Sequence, residues 1–203
     1  MENGEKIIRI EHLRKRYGDL QVLDDINLTI RKGEKLVILG PSGSGKSTLI
    51  NLIPRYYDVT KGSVKVDGVD VRDMTQKELR DKLGYVPQKG VLFSGTIDSN
   101  IRYGKPEITD AQVKEAAEVA QATEFIDTKP EKYESPVSQG GTNVSGGQKQ
   151  RLSIARAIAK DPEIFIFDDS FSALDFKTDS QLRKALKEYT KDATTVIVAQ
   201  RIS

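Results

Sequence analysis

The most informative segment of the sequence is Gly40-Pro41-Ser42-Gly43-Ser44-Gly45-Lys46-Ser47. It matches the pattern G-x-x-x-x-G-K-[ST] and lies between an apolar run, Leu36–Leu39, and a segment with helical character, Lys46–Ile53. Glycines allow backbone N–H groups to approach phosphate oxygens, because no Cβ blocks them. We therefore expect this loop, with Thr48, to bind a nucleoside triphosphate, Lys46 to contact its β- and γ-phosphates, and Ser47 to ligate Mg²⁺.

A second apolar run, Ile164–Phe167, ends at Asp168. On its own, Asp168 could equally be a helix N-cap that follows a strand. Together with the phosphate loop, it indicates the acid that holds Mg²⁺ in a P-loop nucleotidase. The contact is expected to run through water, because Mg²⁺ gives up its water reluctantly.

Composition excludes several other classes of protein. The 203 residues favour one domain, and 32 Lys+Arg against 30 Asp+Glu give no support to a nucleic-acid-binding arm or a polybasic membrane patch. Without cysteine there is no disulfide or thiolate metal site, and a single histidine, His12, excludes a cluster of several imidazoles. The longest apolar runs have four residues, against the ~18 that a spanning helix needs. We expect a soluble chain on the cytoplasmic side of the cell membrane, without direct membrane insertion.

The order of the predicted elements is typical of a layered α/β fold. Strand patterns occupy 7–30, 36–39, 62–73 as a hairpin, 84–86, 164–167 and 194–199, and helical patterns occupy 75–82, 109–121, 148–160 and 177–189. The wholly apolar runs are predicted to be strands of a parallel sheet buried on both faces.

Four further segments resemble the motifs of ATP-binding-cassette (ABC) proteins. Ser145-Gly146-Gly147-Gln148, with Val144 in the position of the usual Leu, resembles their signature, whose glycine N–H groups at a helix start can bind an anion. Tyr17, 23 residues before Gly40, resembles the aromatic residue that stacks on adenine, and Gln88 resembles the Q-loop glutamine that contacts Mg²⁺ and the attacking water. Ser172–Asp175 resembles the D-loop, which packs against its counterpart in a dimer.

The resemblance spans residues 7 to 203 and implies a fold, a domain extent, cofactors and partners. The fold would be a P-loop ABC ATPase domain: a mixed or parallel sheet core, an N-terminal antiparallel β subdomain, and a helical signature subdomain inserted at about 90–160. Residues 1–203 would form one C-terminally truncated domain. Its cofactors would be ATP and Mg²⁺. Its partners would be a second nucleotide-binding domain and the coupling helices of a transmembrane domain, with no nucleic acid.

The subtype that the sequence resembles is an exporter. Phe93–Ile97, Ser138–Gly141 and Pro54–Asp58 are similar to exporter segments. The tight turn at Tyr17–Leu20 is closer to amino-acid importers, which leaves an importer ATPase as an alternative.

Two residues depart from the pattern of an active ABC ATPase. Asp169 stands where the family has a Glu that polarises the attacking water, and Gln200 stands where it has a switch His. The Asp side chain is shorter than that of Glu by one methylene. The Gln amide, unlike a His ring, cannot take up a proton and become charged near neutral pH. Together they suggest the impaired half of a heterodimeric multidrug-type exporter, which binds ATP and hydrolyses it slowly. The alternatives are tolerated variants in a working homodimer and a nucleotide-binding clamp or regulatory module without meaningful turnover.

Overall fold

The computed structural model describes residues 4–200, which divide into two compact units. The first unit comprises the described residues of Met1–Leu83, Glu163–Asp168 and Ala193–Ser203. The second comprises Gly84–Pro162 and Asp169–Asp192. Within the described range, no helix is long and apolar enough to cross a membrane.

The helices and strands follow the predicted order closely. The strands are β1 (Lys6–Tyr17), β2 (Leu20–Arg31), β3 (Lys35–Leu39), β4 (Lys61–Val66), β5 (Val69–Asp70), β6 (Leu83–Val86), β7 (Gly95–Thr96), β8 (Pro136–Val137), β9 (Ile164–Asp168) and β10 (Thr194–Ala199). The helices are α1 (Lys46–Asn51), α2 (Gln76–Asp81), α3 (Ile97–Ile101), α4 (Asp110–Val119), α5 (Thr123–Asp127), α6 (Gly146–Ala159) and α7 (Phe176–Tyr189).

An antiparallel sheet with the order β2-β1-β4-β5 forms part of the first unit. Ile8, Ile10 and Leu13 of β1 are buried in its core. The register slips between Ile10 and Leu13, where His12 adopts a left-handed φ of 47°. Gly62 of β4 approaches this bulge so closely that a Cβ would lie 2.4 Å from the His12 carbonyl oxygen. Glycine is therefore required there.

The parallel strands β3, β10 and β9 lie next to one another in that order in the first unit. Burial on both faces, as predicted, is confirmed for β9, every residue of which is buried. For β3 the prediction is wrong, because Val37 and Leu39 are 51% and 44% exposed. β3 lies at the sheet edge, and an apolar run indicates a strand without indicating whether both of its faces are covered.

The second unit is mostly helical, and α6 packs against α3 and α4 within it. Thr109 and Ser145 begin α4 and α6 with capping boxes, and Asp175 begins α7 with a side-chain hydrogen bond from the Thr178 N–H. α6 begins two residues before the predicted start at Gln148, because the Ser145 cap includes both glycines in the first turn.

Arg156 ties α6 to α3 and to the segment before it. It donates hydrogen bonds to the Asn100 carbonyl oxygen and Oδ1 and to the Val91 carbonyl oxygen, at 2.8–2.9 Å. Burial lowers the pKa of Arg156 to about 10. Hydrogen bonds to carbonyl and amide oxygens, rather than an ion pair with a carboxylate, therefore stabilise the buried guanidinium charge of Arg156.

Candidate nucleotide-binding site

The phosphate loop lies between β3 and α1, where the sequence pattern places it. The Lys46 ammonium donates hydrogen bonds to the carbonyl oxygens of Gly40 and Pro41, at 2.6 and 2.7 Å, and to Ser44 Oγ at 3.1 Å. The ammonium thus lies inside the loop, bound to oxygens that a phosphate group would replace with its own.

Three glycines give the loop its shape. Gly43 and Gly45 have φ values of +80° and +84°, in the left-handed region that favours glycine. A Cβ on Gly45 would lie 3.1 Å from Leu23 Cδ2, and a Cβ on Gly40 would lie 3.0 Å from Ser44 Oγ and 3.7 Å from Lys46 Nζ. A side chain on Gly40 would take up space beside the Lys46 ammonium, whereas one on Gly45 would press against Leu23. The open space beside Lys46 therefore fits a phosphate group.

Ser47 and Asp168 form the oxygen-rich end of the candidate site. Ser47 Oγ donates a hydrogen bond of 2.9 Å to Asp168 Oδ1, and Asp168 is buried, with 5% of its surface exposed. A hydroxyl and a carboxylate are oxygen donors of the type that Mg²⁺ prefers. The pair predicted separately from two sequence segments therefore comes together in one place and fits the metal.

Gln200 follows the last residue of β10 at the same edge of the parallel sheet. In the register of the sheet, Ala199 pairs with Leu39 and Val198 pairs with Asp168. The chain therefore leaves β10 level with the start of the phosphate loop and with the end of β9. The single histidine is elsewhere, in β1, where His12 Nδ1 lies 2.9 Å from Asp25 Oδ1.

Tyr17 is the last residue of β1 and is 41% exposed. Gly18 follows with a φ of +55° and begins the turn that pairs Tyr17 with Leu20. The exposed ring offers a flat apolar surface of the kind on which a nucleobase stacks.

In the second unit, Gln88 and Asp169 are in direct contact. Gln88 Nε2 donates a hydrogen bond of 3.1 Å to Asp169 Oδ2. Asp169 has a left-handed φ of 46°, at the point where β9 gives way to the turn that begins at Ser170. The two residues were predicted to act on the same water, and the structure places their side chains within hydrogen-bonding distance.

Two positioning residues beside this pair were missed in the sequence. The buried side chain of Gln150 donates to the Pro87 carbonyl oxygen at 3.0 Å and accepts from the Gly90 N–H at 2.9 Å, so it holds the backbone on both sides of Gln88. Ser170 Oγ donates to the Val86 carbonyl oxygen at 2.8 Å. The signal for Gln150 is an uncharged polar residue on a helix face that is otherwise buried.

The signature residues form the first turn of α6. Ser145 Oγ accepts from the Gln148 N–H at 3.2 Å, and Gln148 Oε1 accepts from the Ser145 N–H at 3.1 Å. A Cβ on Gly146 would meet open space, whereas one on Gly147 would lie 3.4 Å from the Ala173 carbonyl oxygen. The Ser172–Asp175 segment therefore lies within ordinary contact distance of Gly147 at the helix start, and Gly146 faces open space.

Asp175, the last residue of this segment, caps the start of α7 by accepting hydrogen bonds from Thr178. The Thr178 backbone N–H donates to Asp175 Oδ1 at 3.0 Å, and its hydroxyl donates to Oδ2 at 2.7 Å. These two bonds lower the pKa of Asp175, so the N-cap remains ionised at neutral pH.

The fold is that of an ABC ATPase domain. A solved structure described as a bacterial Atm1-family ABC exporter with ATP bound matches 99% of this chain with a TM-score of 0.91 and 36% sequence identity, and the match covers 35% of that protein. The family model for ABC transporters matches residues 23–172. The chain belongs to the ABC transporter family.

Curated relatives are found in Staphylococcus aureus. A protein of strain NCTC 8325, named as a candidate multidrug export ATP-binding/permease protein, is 48% identical over 198 residues, which is 97% of this chain and 34% of that protein. A protein with the same description in the bovine strain RF122 / ET3-1 has the same identity and coverage. The chain thus spans about a third of the length of the curated relatives it matches.

Proposed function

We propose that this chain is the ATP-binding domain of an ABC exporter and that it works with an impaired hydrolytic site of its own. The observation that carries the proposal is the Ser47–Asp168 contact of 2.9 Å at the end of a glycine-rich phosphate loop. The names of the relatives support an exporter over the alternative of an amino-acid importer.

ATP binding rests on the loop from Gly40 to Thr48. Backbone N–H groups of this loop contact the phosphates, and Lys46 moves from the loop carbonyls to the β- and γ-phosphates. Ser47 would ligate Mg²⁺ and Asp168 would hold it through water, and Gln88 would be a further contact. When bound, Mg²⁺ neutralises charge on the phosphate oxygens.

Hydrolysis at this chain's own site is weak or depends on a partner. Asp169 is shorter than the Glu of an active ABC ATPase, and a misplacement of about 1 Å can cost ~10²-fold in rate. Its carboxylate also accepts the Gln88 hydrogen bond. Gln200 can donate a hydrogen bond to a phosphate but cannot carry a positive charge.

The partner is a second ABC nucleotide-binding domain, in a heterodimer. Ser145, Gly146, Gly147 and Gln148 contact the nucleotide bound to that partner, and the open side of Gly146 supports this role. In the whole transporter, the domain receives the coupling helices of a transmembrane domain on the cytoplasmic side of the cell membrane.

A second candidate function is a nucleotide-operated clamp without turnover. The two substitutions, Asp169 and Gln200, favour it, because both remove groups that hydrolysis uses and neither removes a phosphate contact. Both candidates predict ATP binding, so only the rate with a competent partner separates them.

The deciding experiment measures MgATP binding and steady-state ATPase activity for this chain alone and mixed with an ABC domain that carries Glu and His at the two positions. We expect binding with little turnover alone and clear turnover in the mixture. High ATPase activity of the pure chain would overturn the proposal that its own site is impaired. Binding without turnover in the mixture would favour the clamp, and a chain that binds no MgATP would contradict both functions.

A further inference from the structure

Two exposed tyrosines lie against each other at the end of β1. The Tyr17 and Tyr57 ring centroids are 5.9 Å apart, and the ring planes are at 88°, which is the edge-to-face arrangement that aromatic pairs favour. The side chains are 41% and 50% exposed. The pair is therefore neither buried core nor two isolated surface residues.

The Lys15 ammonium lies close to both rings. Its Nζ is 4.8 Å from the Tyr17 ring centroid and 5.7 Å from the Tyr57 ring centroid, within the range of cation–π attraction. The same ammonium donates a hydrogen bond of 2.7 Å to the Asp58 carbonyl oxygen. One cation thus joins both rings to the backbone that follows Tyr57.

The loop that carries Tyr57 is itself fixed. Arg55 Nε donates to Asp58 Oδ1 at 2.7 Å, and this bond lowers the pKa of Asp58. Further along, Thr60 Oγ1 accepts from the Arg16 N–H at 3.0 Å, and the Thr60 N–H donates to the Arg14 carbonyl oxygen at 2.9 Å. These bonds fasten the loop to the last residues of β1.

Tyr17 needs such support from outside its own strand. It ends β1 and pairs with Leu20 across a tight turn, and the residue is 41% exposed. A ring that rotates freely loses that freedom when a ligand stacks on it, which weakens binding. A ring already held by a neighbour avoids this loss.

We propose that Tyr57 and Lys15 are positioning residues that hold the Tyr17 ring ready to stack on the adenine of ATP. The inference rests on the proposed ATP-binding function and adds to it a source of base recognition. It predicts that Tyr17, Tyr57 and Lys15 affect binding of the adenine base and not binding of the phosphates, which the loop at 40–48 contacts.

The test compares two ligands, MgATP and inorganic tripolyphosphate with Mg²⁺, by calorimetry on the full chain. Tyr57→Ala is expected to weaken MgATP binding by about three- to tenfold and to leave tripolyphosphate binding unchanged. Tyr57→Phe, which keeps the ring, is expected to restore the affinity, and Lys15→Met to weaken MgATP alone. Tyr56→Ala is the matched control, because that ring lies over Arg80 instead, at 5.1 Å.

Each other result has a definite meaning. Unchanged MgATP affinity in Tyr57→Ala, equal losses for both ligands, or a lower melting temperature with both affinities intact would overturn the positioning role. If Tyr17→Ala weakens MgATP binding and Tyr57→Ala does not, only the positioning inference fails. If the unmodified chain binds neither ligand, the proposed function fails, and the inference fails with it.

Discussion

The Ser47 hydroxyl donates a hydrogen bond of 2.9 Å to the Asp168 carboxylate, although 121 residues separate them in the chain. Ser47 lies in the first turn of α1, and Asp168 is the last residue of β9. Parallel strands end at a common edge, so an acid at the end of β9 comes to lie beside the helix that follows β3. This contact brings the two predicted Mg²⁺ residues together.

Asp168→Asn is expected to weaken the Mg²⁺-dependent part of ATP binding by about 10- to 100-fold, since an amide binds the water around a dication less well than a carboxylate. Titrating the protein with ATP, once in the presence of Mg²⁺ and once in EDTA, measures how much of the affinity depends on Mg²⁺. In EDTA, variant and unmodified chain should bind ATP equally weakly. Asp179→Asn, which removes a carboxylate paired with Arg183 on α7, is the control. An equal loss with and without Mg²⁺ would argue against metal binding at Asp168.

Lys46→Ala is expected to weaken ATP binding by roughly 10- to 100-fold, because it removes charge-assisted hydrogen bonds to the phosphates. Calorimetric titration with ATP and with inorganic tripolyphosphate checks the prediction. Both ligands should lose affinity alike, unlike the pattern expected for Tyr57→Ala. Unchanged affinity would contradict the assignment of the phosphate loop.

Asp169→Glu combined with Gln200→His is expected to raise ATPase activity by roughly 10²-fold when the partner domain is present. The longer carboxylate reaches the attacking water, and the histidine supplies a group that can carry charge. Steady-state phosphate release, compared with each single substitution, measures the gain. No gain in the double variant, with ATP affinity intact, would place the defect at other residues.

Stability is expected to fall with acid through Asp58. The hydrogen bond from Arg55 lowers the pKa of Asp58 below its ordinary value of 3.8, so the pair stabilises the fold fully above that value. The contribution is lost as pH falls from about 4 through the lowered folded-state pKa.

Thermal unfolding between about pH 6 and pH 3 measures this loss. The difference in melting temperature between Asp58→Asn and the unmodified chain should be largest at the upper end and shrink toward the lower end. Arg55→Met should show the same change with pH, on top of a constant loss from its bonds to the Val71 and Arg72 carbonyl oxygens. A difference that stays constant over the whole range would show that Asp58 does not respond to acid in this way.

The local chemistry of this protein can be read from its amino-acid sequence alone. The glycine spacing at 40–45, the apolar runs before Gly40 and Asp168, and the helical patterns at 109–121 and 177–189 act through neighbours in the chain. These patterns therefore predict a loop, strands and helices. The substitutions at Asp169 and Gln200 are visible as soon as the motifs are aligned in order.

Tertiary structure decided which of these residues meet and which strands are covered. The contacts of Ser47 with Asp168, of Gln88 with Asp169 and of Tyr17 with Tyr57 join residues far apart in the chain. The exposure of β3 and the bridging role of Gln150 likewise depend on neighbours that only folding supplies. A local pattern records the preference of one segment, whereas each of these features arises from the way several segments pack together.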